Sequence, residues 1–165
     1  MTLSISLKIC FFVVIMNLIK QQLYNLCTQY IDERIQTAEN AIEAAREATN
    51  EDTKSSAGDK YETGREMMQQ EIDRNTRQLH EARKLKIMLQ SMSIENSGEL
   101  IRNGSLVLTN NGNFYISISA GHLEVEGVNY FAISAFSPIG KVLMKQKKGG
   151  KFDFNGKKFS VTDVQ

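Results

Sequence analysis

The sequence predicts an α+β protein: an antiparallel α-helical coiled-coil hairpin followed by a small antiparallel β domain. Three observations point there. Between Ile31 and Leu89 apolar side chains recur at heptad-compatible spacing, the signature of helices packed along their length. Beyond Gly104 the apolar period falls to two, as in strands with one buried face. Composition changes in the same region. Residues 32–90 hold no Pro and two Gly, whereas residues 103–165 hold eight of the eleven Gly and the only Pro. Two small modules are expected, neither with a large core of its own.

Residues 1–15 form an apolar lead-in. Its run Ile9–Ile15 follows Lys8 and is too short for a membrane-spanning helix of about 20 residues. No small-residue cleavage pattern follows it. Met16 is therefore expected to be the true start, and no membrane partner is expected.

Residues 16–92 form the expected hairpin. Ile31, Ile35, Ala38, Ile42, Ala45 and Thr49 lie alternately four and three residues apart, the seam of a coiled coil. Between them Asp32, Glu33, Arg34, Glu39, Glu43, Arg46 and Glu47 form a solvated exterior. A second stripe runs through Tyr61, Met68, Ile72, Leu79, Ala82 and Leu89, interrupted by Asn75 and Lys86. Polar residues in a seam set register at some cost in stability. His80, beside Leu79 on a charged face, reads as a surface residue. Each helix spans about 30 residues, or roughly 45 Å at 1.5 Å per residue.

The tip lies near residues 50–60. Ser56 followed by Asp59 fits a capping box that starts the second helix near Ala57, with the Asp59 carboxylate favoured by the helix dipole. Glu51 and Asp52 read as a solvated turn. Residues 93–104 form the linker, polar and bearing Asn96-Ser97-Gly98 and Asn103-Gly104.

Within residues 105–165, Leu106 and Leu108 and then Phe114, Ile116 and Ile118 alternate with polar residues about Asn110-Asn111-Gly112-Asn113, a hairpin pattern. Leu123–Ile133 reads as one further strand. Ser137 and Pro138 open a short helix over Ile139–Met144, as N-cap and first helical residue. Phe152–Phe154 and Phe159–Val161 flank Asn155-Gly156, the pair favoured in a two-residue hairpin turn.

The net charge of +1 excludes a polyanion mimic and a uniformly basic nucleic-acid binder. The charge is segregated, however: Lys141, Lys145, Lys147, Lys148, Lys151, Lys157 and Lys158 face only Asp153 and Asp163. Cys10 and Cys27 lie outside the β module with no CxxC, so neither a zinc site nor a disulfide framework is expected. A reducing cytoplasm is the natural setting.

Two stretches carry a resemblance. Ser137-Pro138-Ile139-Gly140-Lys141-Val142-Leu143-Met144, followed by Gly149 and the strand at Phe152, resembles the S-P-[LI]-x-[RK]-A-L segment of the Gre family of bacterial transcript-cleavage factors. Tyr61 with Arg65-Glu66 resembles that family's Y-x-x-x-[KR]-E motif at the start of the second helix. The resemblance covers nearly the whole chain from Met16. It implies a C-terminal domain with an FKBP-like fold, and RNA polymerase as partner. It further implies that the coiled coil enters the secondary channel while Tyr61, Arg65, Ser137, Pro138, Lys141 and Leu143 contribute to polymerase binding. In the family, tip carboxylates help hold a Mg²⁺ shared with the polymerase active site, a metal that favours oxygen ligands.

This chain departs from the family at that tip. Aligned on Tyr61, the D-x-x-E positions fall on Lys54 and Ala57, and a lysine repels a cation. Asp52, Asp59 and Glu62 are the candidate substitutes, at a different spacing. The resemblance thus implies a channel-binding elongation regulator without efficient cleavage chemistry and without an enzymatic activity of its own. The C-terminal lysines suit an acidic polymerase rim or nucleic acid.

Two other classes compete. A condensing enzyme such as a 3-oxoacyl-acyl-carrier-protein synthase needs a Cys with two His, or His and Asn. Here Cys27, His80 and His122 fall in different modules. An adaptor that self-associates through its helices is the other class. The imperfect second stripe favours an intramolecular hairpin, and hence a monomer.

Overall fold

Two long helices lead the chain: α1, Ile5–Asp52, and α2, Asp59–Gln90. The structure, a computed structural model, describes residues 5–52, 59–94 and 100–165, with side chains for 14–49, 62–94 and 100–165. Helix α1 starts well before Met16, because the lead-in contains no Gly or Pro to stop it and residues 5–15 continue the same helix. Among the described residues, no helix is long and apolar enough to cross a membrane.

The remaining elements are β1 (Leu106–Thr109), β2 (Gly112–Ser117), β3 (Gly121–Val125), β4 (Val128–Ser134), α3 (Pro138–Leu143), β5 (Lys151–Phe154) and β6 (Lys157–Val164). The strands form one six-stranded sheet in the order β3-β4-β2-β1-β6-β5. The sheet is mixed, which corrects the expectation of an antiparallel one: β2 and β4 run parallel, with Tyr115 opposite Ala132. The expected single strand Leu123–Ile133 is in fact a hairpin, β3–β4. Its turn residues Glu126 and Gly127 both take left-handed φ angles, 52° and 76°, as a two-residue primed turn requires. That turn sends β4 back alongside β2.

The chain divides into two compact units, residues 1–28 with 89–165, and residues 29–88. In the first, successive strand residues point to opposite faces of the sheet. Val107, Phe114, Ile116, Phe159 and Val161 form one core with Leu143 of α3. Ile101, within the expected linker, is buried in that core. On β1 and β2, the alternate residues Leu106, Tyr115 and Ser117 are buried as well, and so are Ile19, Leu23 and Cys27, four residues apart on one stripe of α1. The Cys27 Sγ lies 3.6 Å from the Ser117 Oγ.

In the second unit Ile31, Ala38, Ile42 and Ala45 of α1 are buried, as are Asn75 and Ala82 of α2. Two ion pairs join the helices, Arg83–Glu39 at 2.8 Å and Lys86–Asp32 at 2.7 Å. The partner number rises on one helix as it falls on the other, so the helices run in opposite directions. Asn75 satisfies its amide within its own helix, donating to the Glu71 carbonyl at 3.0 Å and to Glu71 Oε1 at 2.8 Å.

Candidate functional site: the α3 ridge and the β5–β6 hairpin

The turn between β4 and α3 is built from three serine-mediated contacts. The Ser137 hydroxyl accepts from the Gly140 N–H at 3.1 Å and donates to the Ser134 carbonyl at 2.7 Å. The Phe136 N–H donates to Ser134 Oγ at 3.1 Å. Pro138 occupies the first helical turn, where its missing N–H costs nothing and its fixed φ suits the helix. Gly140 is required by close approach: a Cβ there would lie 2.1 Å from the Ser134 carbonyl oxygen. The short helix is thus held tightly against the end of β4.

This fastening sorts the sequence-predicted residues of the segment. Leu143 is fully buried in the core, so it positions α3 and is not available to a partner in this conformation. The Ser137 hydroxyl is occupied by capping. Pro138 and Lys141 are exposed, and Met144 is partly so. Phe136, which sequence reasoning passed over, is 77% exposed. An aromatic residue directly before a Ser-Pro cap was the available signal, since the N′ position of a helix points outward unless a staple partner covers it.

The second surface is the β5–β6 hairpin. Phe152 and Phe159 stack with ring centroids 5.0 Å apart and are buried. The flanking residues Lys151, Asp153, Lys158 and Ser160 line a cleft of about 390 Å³ together with Asn110. The β1–β2 turn fixes this rim. Asn110 donates its N–H to the Ser160 carbonyl at 3.2 Å and accepts the Ser160 N–H on Oδ1 at 2.7 Å. Asn111 Nδ2 donates to the Lys158 carbonyl at 2.7 Å. Sequence reasoning saw in Asn110 and Asn111 only a turn.

Behind this rim Lys148 pairs with Asp163 at 2.6 Å. Burial pushes the Asp163 carboxyl up, but the Lys148 ammonium, the Gln165 amide and the Val164 N–H outweigh it and hold its pKa below the ordinary value.

At the other end of the chain, Asp52 closes α1 and Asp59 opens α2. Their side chains, that of Tyr61 and residues 53–58, including Lys54, Ser56 and Ala57, lie outside the described residues. Glu62 and Arg65 are exposed. Among the described residues no group of three or more His, Cys, Asp and Glu is placed to hold a metal ion.

Cys27 is buried, and burial pushes its thiol pKa up against a smaller lowering by the Ser117 hydroxyl. That is the environment of an inert thiol. His80 and His122 are both exposed, His122 packing edge-on to Phe131 at 5.6 Å. No protein-family model and no curated protein matches this chain.

Proposed function

We propose that this protein binds RNA polymerase and regulates transcription elongation, as a divergent Gre-like factor without efficient transcript cleavage. In this reading α1 and α2 form a coiled-coil hairpin that enters the secondary channel, and the sheet unit is an FKBP-like domain that docks at the channel mouth. The observation that carries it is the juxtaposition in one chain of two oppositely directed helices with a buried heptad stripe and a mixed-sheet unit presenting a rigid Ser-Pro-capped helix. The exposed Phe136, Pro138 and Lys141 supply an apolar and basic ridge of the kind that protein interfaces use, with aromatic anchors at the centre and charge at the rim.

Lys54 and Ala57 stand where the resemblance would require metal-binding carboxylates. The role proposed is therefore occupancy of the channel, and no step of it depends on Mg²⁺ held by this chain alone. Asp52, Asp59 and Glu62 are the carboxylates against which weak cleavage would be tested.

The test is a pull-down of core RNA polymerase from the same organism by the full chain, beside a version in which residues 51–59 are replaced by a Gly-Ser turn. Both retain polymerase if docking is through the sheet unit, and neither accelerates cleavage of backtracked RNA. No capture at micromolar concentration withdraws the transcription role and leaves a helical adaptor. Strong cleavage by the full chain alone overturns the assignment of an inactive tip.

A further inference from the structure

We propose that the outer face of the β5–β6 hairpin binds the sugar-phosphate backbone of a nucleic acid, without reading its bases. The inference rests on charge and on the hairpin's geometry, independently of the polymerase reading, so the two fail separately.

Residues 141–158 carry seven lysines against one carboxylate, Asp153, and residues 103–165 contain no arginine. The whole chain has a net charge of only +1, so this concentration of charge is local. Lys151 and Lys158 are exposed, form no ion pair among the described residues, and share one face of the hairpin, while Lys157, opposite Phe154, lies on the other. The neighbouring Lys148 is paired with Asp163. Lys151 and Lys158 line one cleft with Asn110, Ser160, the single carboxylate Asp153 and the edges of Phe152 and Phe159. Their strands are pinned by cross-strand pairing, Lys151 with Ser160 and Asp153 with Lys158, and by the two asparagines of the β1–β2 turn. The cations thus project from a rigid ribbon.

The residue types select the partner. Lysine is a strongly hydrated point charge suited to phosphate, and it is depleted in protein–protein interfaces, where arginine and aromatic residues are enriched. The hairpin's aromatic rings Phe152 and Phe159 are stacked on each other and buried beneath the lysines. Both rings are more than nine-tenths buried although they border the cleft, which leaves little face for the base stacking that single-strand binders add to a charged groove. What remains is contact with phosphates, which carries no sequence information.

The experiment is a fluorescence-anisotropy titration of the full chain against a short single-stranded RNA, the matching single-stranded DNA and the DNA duplex, over about 50 to 200 mM salt. Two lysine–phosphate contacts on a single strand, from Lys151 and Lys158, at a slope near −0.7 each, lower the affinity roughly sevenfold across that range. The variant Lys151→Gln/Lys158→Gln removes both contacts, so its salt slope falls to near zero and its affinity drops by roughly tenfold or more at the lowest salt. Arg46→Gln/Lys84→Gln, which removes the same charge from the helices, leaves both quantities near the parent values.

Lys158→Gln alone gives the intermediate slope and serves if the double variant melts early, whereas Lys157→Gln, on the opposite face of the ribbon, leaves the slope near the parent value. RNA, single-stranded DNA and duplex results distinguish which backbone is preferred. Any of these bound with the stated slope supports the proposal. No binding at micromolar protein in low salt, or equal weakening by the helix variant, overturns it. So does displacement by polyglutamate at equal charge, which assigns the face to an acidic protein.

Discussion

Tyr115 sits at the middle of the sheet and is fully buried, yet among the described residues its hydroxyl has no hydrogen-bond partner. A buried hydroxyl without a partner costs about 1–3 kcal/mol relative to one left in water. Tyr115→Phe removes that cost with little change of shape, so we expect the variant to be more stable by about 1 kcal/mol in urea melts. The same group sets an alkaline limit. Burial, followed by the neighbouring Cys27 and Tyr24, drives its pKa upward. A group whose folded pKa is raised contributes stability that is whole below its unfolded value, about 10 for Tyr, and is lost as pH rises toward the folded value. The parent should therefore lose stability above about pH 10 more steeply than Tyr115→Phe. Parallel alkaline limbs would show that Tyr115 is not the group responsible. In the sequence Tyr115 fell on the face opposite Phe114, Ile116 and Ile118, and nothing in its neighbours signalled that a helix residue more than 80 positions earlier, Cys27, would lie against the same stretch of sheet.

Among the elements, those written in local code were legible. Asn155-Gly156 marked the β5–β6 turn, and both residues take positive φ, 49° and 76°. Ser137-Pro138 marked the start of α3 to the residue. The β3–β4 turn was missed because Glu126 is a poor advertisement for a left-handed φ, which favours Gly, Asn and Asp. Close contacts were illegible too. Glycine weakens a helix by propensity, but at Gly140 the Ser134 carbonyl leaves no room for a Cβ. Gly140→Ala should cost about 1–3 kcal/mol by overpacking, and it should loosen α3 selectively, seen as faster amide exchange over residues 139–144. An unchanged melting point would mean that α3 shifts freely. On the helices, Lys86 looked like a flaw in the stripe and proves to bridge to Asp32. The parallel bridge gives a cleaner test: Arg83→Glu should lower stability by about 0.5 kcal/mol, and adding Glu39→Arg should recover it. A double variant no better than the single would deny that the two side chains interact.

At the scale of the whole chain, the division into units cuts through α1. Residues 1–28 belong with the sheet, and residues 29–52 of α1 belong with α2. The polymerase pull-down and the salt titration address the two units by different routes, since the tip replacement alters the second unit and the lysine variants alter the first. If both predictions hold, one chain carries a channel-reaching arm and a phosphate-binding ribbon. The seam Ile31–Ala45 was readable because a heptad repeat states a helix's buried side wherever its partner comes from. The tip was readable only as a set of residue types.

Secondary-structure type, the heptad seam, the two Asn-Gly and Ser-Pro signals and the segregated lysines all follow from residues within a few positions of one another, and the sequence alone determines them. Strand order, the parallel β2–β4 pairing, the burial of Leu143 and the packing of Cys27 against Ser117 were settled only in the tertiary structure. Each of these depends on which distant surfaces meet. Period-two alternation says that a strand has an inside face, but not which neighbour pairs with its edge or what covers that face.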